Sequence, residues 1–174
     1  MIPVIAQSMT GLPGVELQSL IDLLLQFFVT MLRIGAFLIS SPLLGARWVP
    51  LQVRITMGVM LTLVIWQITP PISIALITSS QAFLIIFSEL VIGLSAGLIL
   101  TIWFSAVLLA GEKVAGSSGL SFAAQMDPST GGQTPVVSQI FYLFMLVLFT
   151  ATDGHLIAIA TLLDSYRILP IGVI

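Results

Sequence analysis

Asp153, Gly154 and His155 stand together inside an otherwise apolar stretch, and a carboxylate two residues from an imidazole is the kind of pair from which a proton relay is built. On a regular helix, residues two apart diverge by about 200°, so only a break at Gly154 would bring these side chains together. His155 has no other ligand-type side chain close by, which leaves a metal short of donors. A polar, water-facing kink or a span end is the better reading. Glu89, Gly93 and Gly97 recur at i, i+4 and i+8, one stripe of a helix. Small residues at that spacing admit a second helix at close range, and Glu89 on the same stripe would then be buried where the two helices meet. Asp22 and Arg33 share a helix face but sit ~16 Å apart along the axis, so they do not pair with each other. Arg33 needs a partner on another helix, a carbonyl or water. Ser117, Ser118 and Ser121 lie in a Gly-rich run, but Gly119-Leu120-Ser121-Phe122-Ala123 lacks the second glycine of a nucleophile elbow. A hydrolase reading is rejected.

The elements that must position these groups are membrane helices. Of the 174 residues, 58% are hydrophobic and 7% charged, and the mean hydropathy is +1.19. A soluble domain carries about 25% charged residues. This composition leaves no polar surface to face water. The formal net charge of −2, with no basic cluster, argues against nucleic acid as a partner. The absence of cysteine removes disulfides, thiolate chemistry and the best metal ligands, and no cofactor is expected. The N-terminal run MIPVIAQSMTGLPGVELQ lacks a basic n-region, so the first apolar stretch reads as a retained helix.

Four apolar runs of spanning length follow, at about 17–44, 55–77, 82–110 and 135–163. The first is ended by Ser41-Pro42, and the second is broken at Pro70-Pro71. The third carries Glu89 near its start, and the fourth holds Asp153 to His155. Arg47, Arg54 and Lys113 fall on one side of a four-span layout, which the positive-inside rule places in the cytoplasm, with the N-terminus outside. The expected fold is all-α: an integral membrane protein of about four long hydrophobic helices in a single membrane domain, residues 1–174. The chain closes on Pro170-Ile171-Gly172-Val173-Ile174, which reads as a turn leading toward a further apolar element.

Between the third and fourth runs lies 111–135, GEKVAGSSGLSFAAQMDPSTGGQTP, with five glycines and two prolines. Glycine opens positive-φ backbone and proline blocks helix continuation. A long, partly apolar, unhelical segment between two spans reads as lining or closing a path. Leu120, Phe122 and Met126 beside Asp127-Pro128 supply bulk for a constriction, and glycines at 116, 119, 131 and 132 supply freedom to move.

The run Gly111-Glu112, Gly119 to Ala123, Asp127-Pro128, Pro135, Asp153-Gly154-His155 and Leu169-Pro170-Ile171-Gly172 resembles the FliR-type flagellar biosynthesis proteins, relatives of the SctT subunits of virulence type III secretion. The likeness is spread over 111–172 in consistent order. The first 110 residues agree in layout, including Arg33 and Ser41-Pro42. Asp153 is a departure, since some members carry an uncharged polar residue there. The resemblance implies a non-enzymatic subunit of the export gate in the bacterial inner membrane, at the flagellar basal body. It implies FliP- and FliQ-type subunits as partners, FlhB- and FlhA-type export components nearby, and unfolded exported proteins as substrates. It also implies a pore plug at roughly 111–128, drawn from Gly111, Gly116, Gly119, Leu120, Phe122, Met126, Asp127 and Pro128. Arg33, Glu89, Gly93, Gly97, Asp153 and His155 are the expected helix-packing and buried polar positions. In such an assembly a subunit can bury Arg33 and Glu89 against its neighbours, whereas a lone bundle would struggle to pair both. The competing readings are a virulence-type export subunit, a small-solute transporter using Glu89, Asp153 and His155, and a scaffold with no moving part.

Overall fold

The computed structural model describes residues 17–46, 49–66, 81–119 and 136–172, and all regular structure among them is α-helical. Five helices follow in order: α1 (Leu17–Ser40), α2 (Leu51–Trp66), α3 (Ala82–Ser117), α4 (Val136–Ala151) and α5 (Gly154–Ile168). The chain is a helical membrane protein. Two of these helices, and a third span if α4 and α5 count as one bent element, are long and apolar enough to cross a bilayer.

Helix ends follow local chemistry. Pro42 lacks an N–H and disfavours helix at Ser41, so α1 stops at Ser40, short of the expected residue 44. Pro50 accepts the backbone N–H of Val53 and Arg54, and α2 starts directly after it, four residues before the expected 55. The expected remainder of that span, 67–77 with Pro70-Pro71, lies outside the described residues.

The larger corrections concern α3 and the fourth span. The helix α3 does not end at Ala110 but runs to Ser117, so Gly111 to Gly116 are helical rather than part of the loop. Glu112, Lys113 and Ala115 are good helix formers, and no proline intervenes before Pro128. Gly111 is tolerated because α4 passes against it; a Cβ there would lie 2.6 Å from the Ser138 Cα. The expected fourth span, 135–163, is two helices bent by 65°. Thr150 and Thr152 bond back to the carbonyls of Leu146 and Leu148, and Asp153 then takes a left-handed conformation at φ 56°. Hydroxyls bonded back in this way compete with the helix ladder, and the chain restarts at Gly154.

Packing directions are set by a few contacts. Arg33 meets Glu89 and Ser40 meets Gly97, so α1 and α3 run parallel. Phe27 meets Trp66 while Leu38 and Met31 meet Gly58, so α2 is antiparallel to α1. Gly111 meets Ser138 while Phe104 stacks edge-on to Tyr142 and Phe149, so α4 is antiparallel to α3. The helix α5 continues along α3 and over α1, completing an apolar cluster of Ile34, Phe37, Leu38, Ile65, Leu162 and Tyr166.

The α1–α3 seam is the tightest. At Gly93 a side chain would collide with the Arg33 carbonyl and the Ala36 methyl, and at Gly97 with the Ser40 hydroxyl and the Phe37 carbonyl. Thr101 adds a hydrogen bond to the Ser40 carbonyl. Because lipid is as apolar as the side chains, close packing rather than water exclusion holds such a seam. Gly93→Val should therefore cost about 1–3 kcal/mol through overpacking. The expected readout is a melting temperature in detergent lowered by roughly 3–10 °C. Gly35→Ala, where nothing lies within 4 Å of the new methyl, should leave it nearly unchanged; equal shifts would contradict the seam.

Candidate functional site

The parallel seam brings two buried charges, Arg33 and Glu89, face to face. Arg33 is 0% exposed and Glu89 1%. Arg33 Nε donates to Glu89 Oε2 at 2.7 Å and Nη2 to Oε1 at 2.8 Å, a two-pronged pair in which both carboxylate oxygens are engaged. The guanidinium reaches α5 as well. Nη1 donates to Ser165 Oγ and Nη2 to the Leu169 carbonyl, each at 3.0 Å. The Leu169 carbonyl belongs to the C-terminal end of α5, where helical carbonyls lack backbone donors and a cation is favoured.

Aromatic contact completes the enclosure. The guanidinium carbon lies 4.2 Å from the Tyr166 ring centroid, and the Tyr166 hydroxyl donates to the Thr30 carbonyl at 2.7 Å. One side chain thus ties α1 to α3 and α5 with every charge compensated. The expectation that a lone bundle would struggle to pair these two is corrected, because Arg33 and Glu89 satisfy each other within the chain. With both oxygens of Glu89 held, the carboxylate is a clamp rather than a free base.

The second polar locus is the α4–α5 break. Asp153 is exposed there rather than buried in a helix interface, and its side chain makes no capping bond to α5. His155 is half-buried, and its Nδ1 has no hydrogen-bond partner. Beside the break, a cavity of about 480 Å³ opens between α3 and α5, lined by Ile99, Trp103, Thr152, Gly154, Ala158 and Ser165 among others. Among the described residues, no group of three or more His, Cys, Asp or Glu side chains is placed to hold a metal ion.

The positions expected to form a plug are divided. Gly111 is buried in α3 against Ser138, Gly116 is an exposed helical residue, and Gly119 lies just beyond α3 with φ 77°. Leu120, Phe122, Met126, Asp127 and Pro128 lie outside the described residues. Glu89, Gly93 and Gly97 are together against α1, as their spacing suggests. Sequence reasoning missed Ser165, Tyr166 and the Leu169 carbonyl. They are 132 to 136 residues from the groups they meet, and only a Ser-Tyr pair near the end of an apolar run hinted at them.

Comparison with known proteins gives a consistent answer. Residues 24–174 match the family described as "Bacterial export proteins, family 1". The flagellar biosynthetic protein FliR of Escherichia coli K12 is 32% identical over 146 residues, covering 84% of this chain and 56% of that protein. Its counterpart in Pectobacterium carotovorum subsp. carotovorum is 33% identical over 147 residues, with the same coverage of both chains. That of Bacillus subtilis strain 168 is 33% identical over 140 residues, or 80% of this chain and 53% of the relative. The chain spans about half the length of these curated relatives.

Removing one member of a buried pair leaves an uncompensated charge, at a cost of roughly 3–5 kcal/mol. Arg33→Met and Glu89→Leu alone should each destabilise the purified protein by about that amount, and the double variant should recover much of the loss. Denaturation of all four members of this cycle checks it; strictly additive losses would show that the two side chains are not coupled.

Proposed function

The chain belongs to the bacterial export proteins, family 1, and on that premise we propose that it is a non-enzymatic subunit of the flagellar type III protein export gate. It resides in the bacterial inner membrane, at the flagellar basal body. Its partners are FliP- and FliQ-type gate subunits, with FlhB- and FlhA-type components alongside, and its substrates are unfolded flagellar proteins. The observation that carries this reading is the match over 24–174, which includes every described helix except the first residues of α1.

The architecture supports a subunit role. The bundle resolves the buried Arg33–Glu89 pair internally, while α4 leaves Val136, Ile140, Leu143, Phe144 and Val147 exposed for lipid or neighbouring subunits. A buried charge pair that is complete within the chain lets those faces be purely apolar.

The gating element is the segment between α3 and α4. Gly111 packs on Ser138, so the end of α3 and the start of α4 lie at the same end of an antiparallel pair. A plug from 118 to 135 would be anchored at both ends by a firm support. Leu120, Phe122 and Met126 form its seal, and Gly119, Gly131 and Gly132 let it yield to an arriving chain. A hydrophobic constriction of this kind gates by excluding water and needs no catalytic group. Gly111 and Gly116, being helical, belong to the support.

Two measurements test the proposal. Affinity purification of the full-length protein from native membranes in mild detergent should bring down FliP- and FliQ-type subunits; recovery of a lone protein or homo-oligomer would count against the export reading. Deleting 120–126 should then leave the assembled gate leaky to ions or small solutes. An unchanged leak in an intact complex would remove the plug.

A further inference from the structure

Two ionisable residues lie on the inward stripe of α1, and only one of them is matched by α3. Asp22, Gln26, Val29 and Arg33 recur at i, i+4, i+7 and i+11, so Asp22 is on the same face of α1 as Arg33. Along that face α3 follows at a nearly constant offset: Glu89 is 56 residues after Arg33, and Gly97 lies against Ser40. The same offset sets positions 78 and 79 opposite Asp22, ahead of Ala82, where α3 begins. The seam that satisfies Arg33 thus stops short of Asp22. Its carboxylate is half-buried, and Oδ1, closed off from solvent, has no hydrogen-bond partner. Buried polar atoms are almost always paired, and a bare carboxylate oxygen is among the costliest exceptions.

Among the described residues no cationic side chain is placed to match it. Residues 1–32 and 67–80 contain no Lys, Arg or His at all. Arg33, ~16 Å away along the axis, is already saturated by Glu89, Ser165 and the Leu169 carbonyl. Arg167 stands between Ser165 and Leu169, level with Arg33, and contacts Asp164. Arg54 lies beyond the opposite end of α1, bonded to the carbonyls of Ala46 and Val49, and Arg47 follows Ala46 in sequence. Lys113 is ~36 Å past Glu89 on α3, and His155 adjoins Gly154, which lines a cavity with Trp103.

The surroundings say what kind of group is missing. Beside Asp22, α1 exposes Leu20, Ile21, Leu23 and Leu24. A charge ringed by exposed apolar side chains is laid out like the centre of a protein interface, where the ring keeps water from the polar contact. A Lys or Arg fits both parts, since its aliphatic stem covers leucine while its head reaches the carboxylate. We propose that Asp22 is the acidic half of an ion pair between subunits, through which the N-terminal turns of α1 dock a neighbouring protein by a Lys or Arg set in an apolar face. This deepens the export reading by assigning one contact of the assembly to one side chain, and it rests on that reading only in needing a neighbour.

The test uses the full-length protein in native membranes. A photo-reactive benzoylphenylalanine at Ile21, exposed beside Asp22, reports what packs there while leaving the carboxylate in place. The expected crosslink maps to a neighbouring subunit within about two helical turns of a Lys or Arg. Asp22→Lys should then lower recovery of that neighbour in mild detergent about tenfold or more, because it sets like charges together across the contact. Reversing the mapped Lys or Arg to Asp in the same background should restore most of the recovery, which an aspartate of merely structural importance would not allow. Asp22→Asn covers the case in which the lysine variant fails to fold: it should keep the wild-type melting temperature and still lose recovery about threefold. Crosslinks confined to this chain or to lipid would overturn the proposal. Undiminished recovery in Asp22→Asn, or no rescue by the reversed charge, would do the same. A crosslink beside a Lys or Arg of a protein outside the export apparatus would end the export reading and leave the ion pair standing, so the two fail separately.

Discussion

A guanidinium cannot remain bare at the depth of a bilayer, and that constraint organises this bundle. Arg33 lies in an apolar helix with no acid close enough on the same helix to pair with it. Its satisfaction requires a carboxylate from α3, a hydroxyl and a carbonyl from α5, and an aromatic face to cover it. The partners come from one turn of α3 and from the C-terminal end of α5, so a single side chain sets the relative register of α1, α3 and α5. A buried ion pair is weak evidence of net stability when weighed against apolar residues of the same volume. Its value here is specificity: any slip of one helix by a turn would leave a charge unmatched in a medium that cannot hydrate it.

The glycine stripe makes that register reachable. Glu89 can approach Arg33 only if α3 lies almost on the backbone of α1, and Gly93 and Gly97 allow that approach one and two turns further along. The seam and the charge pair are thus one device, in which small residues provide proximity and the ions provide direction. Farther along α3, this role passes to aromatic rings, with Phe104 held between Tyr142 and Phe149, and then to Gly111 against Ser138. The long helix acts as a spine to which the other elements are attached by different means at successive levels.

Much of this was readable before any coordinates. Composition fixed the membrane class, Pro42 marked the end of α1, and the Glu89-Gly93-Gly97 spacing marked a close helix contact. Pairwise identity across helices was not readable, because Arg33 and Glu89 each advertise a need for a partner without naming it, and nothing local distinguishes a neighbour in the chain from one in another subunit. The end of α3 was misjudged because glycine density suggests a loop, whereas Glu112-Lys113-Val114-Ala115 and the support of α4 favour helix. The break in the last span was signalled by Asp153-Gly154-His155, which read as a polar kink or a span end, but its 65° angle and the threonines that loosen the ladder show only once their hydroxyls are seen to bond backward.

The separation of Arg33 from its partners along the chain has a consequence for biogenesis. Glu89 follows Arg33 by 56 residues, and Ser165 by 132. At ~5–20 residues per second, α1 waits about 3–11 s after synthesis for its counter-ion and more than twice as long for α5. Throughout that interval a helix with an unneutralised cation must be sheltered by the insertion machinery or held shallow at the membrane surface. Its final seat is therefore decided only once α5 has been made, and a ribosome that stalls before α5 would leave a nascent chain with a recognisable defect for membrane quality control.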